Sequence, residues 1–204
     1  DMSILSFAGN KVLTTGEGGA VLVNSKKLYE KLKLIRSHGR QINSNYFQTT
    51  KTPNYISLGY NWRMSSITAA LGISQLRKLE TLISKRRKNS IYLSSKLKKC
   101  SEITLPLDYK NHKNVFQLYT IRIRGKNLRN NLMKFLEKRG IMSKIFFEPV
   151  HLSKFYSKNM NKKISLPVTE KISQQVLTLP MYPSLTKNEI NFISDTINEF
   201  FETL

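Results

Sequence analysis

One lysine followed by a glycine cluster constrains this chain more than any other feature. Residues 6–20 read Ser-Phe-Ala-Gly-Asn-Lys-Val-Leu-Thr-Thr-Gly-Glu-Gly-Gly-Ala. Gly16, Gly18 and Gly19 flank Glu17, and glycine accepts backbone angles that a side chain forbids, so this is a tight connection. Apolar Asp1–Leu5 leads in as a strand, and Ala20–Val23 leads out as another, with Val12–Val23 extended overall. Lys11 therefore lies just before a turn, where a rigid scaffold can aim its side chain into a cleft. A lysine amine forms a Schiff base with a carbonyl when its surroundings leave it unprotonated. A surface lysine ahead of a hairpin fits the same residues, so the local run alone leaves both readings open.

The longer pattern Ser-Phe-x-x-x-Lys-x-x-Thr-Thr-Gly-Glu-Gly-Gly closely resembles the lysine segment of the DegT/DnrJ/EryC1/StrS family. These are pyridoxal-phosphate aminotransferases acting on nucleotide-linked keto-sugars. The resemblance implies that Lys11 is the Schiff-base, catalytic lysine and that the Ser6 hydroxyl contacts the cofactor phosphate. Relatives with histidine in place of the lysine dehydrate their substrate instead, so Lys11 favours transamination. Further signatures follow in the family's order. Leu58-Gly59-Tyr60-Asn61-Trp62-Arg63-Met64 is similar to its Gly-Tyr-Asn-x-Arg-Met element, whose asparagine reaches the cofactor phosphate of a neighbouring subunit. That makes Asn61 a cofactor contact and implies a homodimer with a shared site. Pro149-Val150-His151-Leu152 matches a Pro-x-His-Leu element, and Leu179–Leu185 a proline-shaped turn. His38, Arg63 and His151 are the substrate-binding candidates. A helix-terminal role for His38, an ion-pair role for Arg63 and a satisfied interior histidine at 151 are the competing readings.

In chain order, Ser25 caps a helix with Leu28, Leu32 and Ile35 on one face, ending at Ser37-His38-Gly39. Residues 40–58 are polar and read as a long loop. Ser65 or Ser66 opens a long helix to about Lys99, where Ala69, Ala70 and Gly72 admit a close neighbour and Lys85–Lys88 form a solvated basic block. Beyond the polar run 110–114, strands are expected at Leu118–Ile123, Ile141–Phe147 and around Val176–Leu179, with a helix over 128–140. A last helix begins at the capping box Thr186-x-x-Glu189. Segregated strands and helices make this a small α/β domain, with right-handed crossovers wherever strands run parallel.

The fold class is therefore α/β. The resemblance makes residues 1–99 the distal end of a fold-type I large domain with its connecting helix, and 100–204 the small C-terminal domain. The family's acidic partner of the pyridine nitrogen comes before the lysine segment and has no match here, so the chain resembles the C-terminal portion of a larger enzyme, and a separate N-terminal half is one candidate partner.

Of the 204 residues, 34 are Lys or Arg and 13 Asp or Glu, a net charge of +21. Such charge suits an anionic partner or a lysine-decorated surface. The basic residues are scattered and lack stacking aromatics, which argues against nucleic acid. The alternative to an enzyme is a non-catalytic, basic binding module. A single cysteine, Cys100, forbids an internal disulfide. With no apolar run of bilayer length, no membrane role and a cytoplasmic setting are expected. No metal-site spacing of His, Cys and carboxylates is present.

Overall fold

The computed structural model describes residues 1–41, 50, 52–125, 127–159 and 164–204. These form two compact units, 1–79 and 80–204.

In the first unit β1 (Met2–Ser6) and β2 (Gly19–Val23) form an antiparallel hairpin in which Met2 pairs with Val23 and Ser6 with Gly19. The strand expected to start at Val12 starts at Gly19, because residues 7–18 are folded back on themselves. The Phe7 N–H donates to the Gly18 carbonyl (2.9 Å), and the Thr15 N–H donates to the Phe7 carbonyl (2.9 Å). Both faces of the hairpin stay open, with Ile4 82% and Leu22 54% exposed. Helix α1 (Lys26–Ile35) follows, its Leu28 N–H donating to the Ser25 hydroxyl as the capping pattern predicts. The stretch read as a loop is in part a paired segment. Bridges join Ser37 to Asn61 and Arg40 to Tyr55, both antiparallel. Expected loop residues 42–49 and 51 lie outside the described residues.

Helix α2 (Ser66–Leu97) opens with the Thr68 N–H donating to the Ser65 hydroxyl. The two compact units divide inside it, after Leu79. The cause is packing: Leu93 and Leu97 are fully buried in the core of the second unit. Nor is the basic block all solvated. Arg86 Nη1 donates to the carbonyls of Phe116, Gln117 and Met181, and Arg87 Nη1 to that of Asn114. Arg87 also forms a fork with both Asp108 carboxylate oxygens, while Asn89 donates to the Tyr182 and Leu185 carbonyls. Charge periodicity cannot distinguish a solvated arginine from one that serves as a five-donor clamp.

The second unit is built on an antiparallel sheet in the order β3 (Ile103–Thr104), β4 (Tyr119–Ile123), β5 (Val176–Leu179). No pair of its described strands is parallel, so the crossover rule does not come into play. Tyr119, Ile121 and Ile123 alternate inward, meeting Leu132 and Leu136 of α3 (Leu128–Lys138). Ile141–Phe147 is not a strand. It joins β5 at a single bridge, Lys144 to Thr178. Toward Met142 the next hydrogen-bonded partner would be Pro180, which has no N–H to give. A 3₁₀ turn (Val150–Leu152), α4 (Lys154–Asn159) and α5 (Pro167–Ser173) intervene before β5. Helix α6 (Lys187–Glu202) shows the expected reciprocal capping box, in which hydrogen bonds from the Thr186 N–H and hydroxyl hold the Glu189 carboxyl below its ordinary pKa. Its inner face, Ile190, Ile193, Ile197 and Phe200, completes the core. No helix among the described residues is long and apolar enough to cross a membrane.

Candidate active site

Lys11 and Ser6 belong to the pinned connection between β1 and β2. Ser6 ends β1, and its hydroxyl accepts from the Ala8 N–H at 3.5 Å. A turn closes from the Lys11 N–H to the Ala8 carbonyl at 3.0 Å, leaving the Lys11 side chain half-buried. The threonines after it stiffen the exit: Thr14 donates its hydroxyl to the Phe7 carbonyl, and Thr15 donates its own to the Glu17 carbonyl. Gly16 and Gly18 take positive φ of 81° and 146°. At Gly18 space is short as well, for a Cβ would lie 2.8 Å from Thr15 Oγ1 and 3.0 Å from Met64 Cε. Gly72 of α2 is held just as close to the Thr15 methyl. Three motifs far apart in sequence, the glycine turn, Arg63-Met64 and the small-residue run of α2, thus converge on Thr15–Gly18.

A second cluster forms where α1 ends. His38 adopts φ of 62°, and its N–H donates to the Tyr60 carbonyl instead of staying with the helix. The Tyr60 and Trp62 N–H groups donate to the carbonyls of Ile35 and Arg36. This crossing brings two backbones almost into contact: a Cβ on Gly59 would sit 1.9 Å from the Gly39 nitrogen. It places Asn61 opposite Ser37 and brings Arg63 to His38. Arg63 Nη1 donates to the Ser37 hydroxyl at 3.3 Å, and Nη2 lies 3.5 Å from His38 Nε2. His38, Asn61 and Arg63 are all exposed, and Tyr60 stacks flat on Trp62 at 4.2 Å.

His151 belongs to the second unit. Its side chain is only 8% exposed, and Nε2 lies 3.1 Å from Glu170 Oε1. In the same unit, α3 turns Arg129 inward. Burial lowers its pKa, and the Glu148 carboxylate opposes that with a smaller effect. A cavity in the first unit, about 980 Å³, is lined by Phe7, Gly18, Tyr29, Leu32, Trp62 and Arg63 among others. Lys11, Ser6, His38 and Asn61 do not line it, so the clusters of functional side chains, and not this apolar hollow, define the candidate site.

Sequence reasoning brought out Lys11, Ser6, His38, Asn61, Arg63 and His151 but missed Glu170 and Met64. Met64 had a signal, its place beside Arg63 in the same signature. Glu170 had none, because its relation to His151 is purely spatial.

Residues 1–198 match the model of the DegT/DnrJ/EryC1/StrS aminotransferase family. The chain belongs to this family. GDP-perosamine synthase of Escherichia coli O157:H7 is 31% identical over 204 residues, covering 98% of this chain and 52% of that protein. The UDP-4-amino-4,6-dideoxy-N-acetyl-beta-L-altrosamine transaminase of Helicobacter pylori is 30% identical, with coverage of 98% and 52%. Among solved structures, the Helicobacter pylori PseC aminotransferase, involved in the biosynthesis of pseudoaminic acid, superposes with a TM-score of 0.90 at 29% identity, covering all of this chain and 54% of that one. The chain spans about half the length of the curated relatives it matches. Enzymes of the family are pyridoxal-phosphate-dependent aminotransferases of sugars, and the mixed α/β fold is part of their fold-type I architecture.

The residues present fit two features of that cofactor. Lys11 offers a half-buried primary amine for its aldehyde, on a loop fixed at both ends. Ser6 and Asn61 offer a hydroxyl and an amide, uncharged donors suited to phosphate oxygens.

Proposed function

We propose that this chain furnishes the lysine, phosphate contacts and part of the sugar site of an enzyme that moves an amino group from an amino acid, glutamate in our reading, to a nucleotide-linked keto-sugar. The product class would be amino sugars for cell-surface polysaccharide. The observation that carries the reading is Lys11, held half-buried in a doubly pinned loop within the stretch that matches the family.

When bound, pyridoxal phosphate supplies an electron sink for removal of a proton from the amino-acid Cα. Lys11 would hold it through Nζ, and the same Nζ, when free, would be a base placed to carry that proton, with the pinned loop limiting where it can go. Ser6 would hold the phosphate from its own subunit and Asn61 from a partner subunit. Arg63 and His38, already within 3.5 Å of each other, present adjacent polar groups to the sugar nucleotide. His151 is a further candidate contact of the sugar nucleotide. Residues 1–204 alone should not turn over glutamate, since none matches the acidic residue with which the family holds the pyridine nitrogen.

The lysine is tested by reducing the cofactor-loaded enzyme with borohydride and mapping the pyridoxyl adduct after proteolysis. We expect the adduct on Lys11, and an adduct confined to any other lysine refutes the assignment. Sharing of the site is tested by mixing inactive Lys11→Ala and Asn61→Ala subunits. Hybrid dimers with one intact site should recover activity, and failure to recover despite demonstrated subunit exchange removes Asn61 from a shared site.

A further inference from the structure

We infer that Glu170 is a positioning residue that sets the hydrogen-bonding state of His151 for a hydroxyl-bearing ligand. The inference rests on the reading of His151 as a sugar-nucleotide contact.

Glu170 is not a loose surface acid. Its Oε1 accepts the Leu166 N–H at 2.8 Å, while its own N–H donates to the Leu166 carbonyl at 2.9 Å, so the side chain is tied to the head of α5. The same Oε1 faces His151 Nε2 at 3.1 Å. An ionised carboxylate only accepts hydrogen bonds, so the proton of a neutral His151 must lie on Nε2. That leaves Nδ1 with a lone pair, the arrangement that accepts from a donor such as a sugar hydroxyl. The ring has little freedom to do otherwise, with its side chain 8% exposed and its backbone in the turn Val150–Leu152. A carboxylate that fixes tautomer and ring orientation acts on ligand binding through the histidine, as it does for metal-bound histidines. Glu170 is itself partly solvated, at 32% exposure of the side chain.

The test is a double-mutant cycle in the complete enzyme, reading KM and kcat for the sugar nucleotide in His151→Ala, Glu170→Ala and the double variant, with Glu170→Gln as the conservative replacement. His151→Ala should raise KM roughly tenfold, the loss of one hydrogen bond to a ligand, and Glu170→Ala should reproduce most of that rise. Added to His151→Ala, Glu170→Ala should have no further effect on KM. Glu170→Gln keeps an oxygen acceptor and should restore most of the lost binding. If Glu170→Ala raises KM by the same factor in both backgrounds, it acts through α5 and not through His151, and the inference is wrong. It is also wrong if His151→Ala raises KM while Glu170→Ala does not, although the reading of His151 then stands. If His151→Ala leaves KM unchanged, both fall.

Discussion

Gly39→Ala should selectively unravel the crossing that holds His38, Asn61 and Arg63. Gly39 has φ of +69°, a left-handed conformation that costs alanine about 1–2 kcal/mol. Its new Cβ would lie 1.7 Å from the Ser57 carbonyl oxygen and 2.6 Å from the carbonyl carbon. Both are backbone atoms, so no rotamer change relieves the clash, and the two segments must separate by more than an ångström. Separation breaks the bond from the Ile56 N–H to the Gly39 carbonyl and weakens that from the His38 N–H to the Tyr60 carbonyl, both 2.9 Å. At about 1 kcal/mol each these add to the conformational cost, giving a loss of about 3–4 kcal/mol in the first unit. The reporter is built in: Trp62, the single tryptophan, lies in this crossing, stacked on Tyr60. In urea titrations its emission should shift to a clearly lower midpoint, while far-ultraviolet dichroism, dominated by helices, shifts much less. A change in the tryptophan transition below about 1 kcal/mol would show that the close approach of Gly39 to Ser57 does not govern the stability of this region.

Two further outcomes come from the second unit. Burial pushes the Tyr119 phenol up to about 12, with the Ser94 hydroxyl partly offsetting this, so the folded state holds its proton longer than the unfolded chain does. Its contribution is therefore fully present below about pH 10 and lost as pH rises toward 12, by about 2–3 kcal/mol, and Tyr119→Phe should flatten that part of a stability–pH curve measured by denaturant titration. Burial, aided by Glu102, likewise pushes the Cys100 thiol up to about 11, so maleimide labelling at pH 8 should be roughly a hundredfold slower in the native than in the unfolded protein, and Glu102→Gln should accelerate it.

The elements most legible in the sequence were those whose cause is local. The Ser25 and Thr186 caps, the apolar faces of α1 and α6 and the position of β4 each follow from a few adjacent residues, and each formed where expected. Lys11 and Asn61 were singled out for a different reason, because long signatures surround them. What could not be read depends on partners remote along the chain. Pro180 stops Lys144 from extending a ladder, Leu93 and Leu97 carry the end of α2 into another core, and Glu170 meets His151 across an intervening stretch. Glycines occupy an intermediate position. Gly39 was read as a helix terminator, which it is, but the demand for glycine also comes from Ser57, and only the folded crossing reveals it.

The way α2 grips its surroundings has a consequence for how this sequence can drift. Arg86, Arg87 and Asn89 take hold of main-chain carbonyls of residues 114, 116, 117, 181, 182 and 185. Every amino acid brings the same carbonyl, so solvent-facing positions among these acceptors, such as Tyr182, can change identity without releasing the grip. The donors enjoy no such freedom. Lysine in place of Arg86 keeps the charge but not the planar fork, and it offers no guanidinium to span three oxygens. Divergence should therefore be tolerated at exposed positions of the loops that are held, such as Tyr182, and suppressed at Arg86, Arg87 and Asn89, although these three are themselves partly exposed.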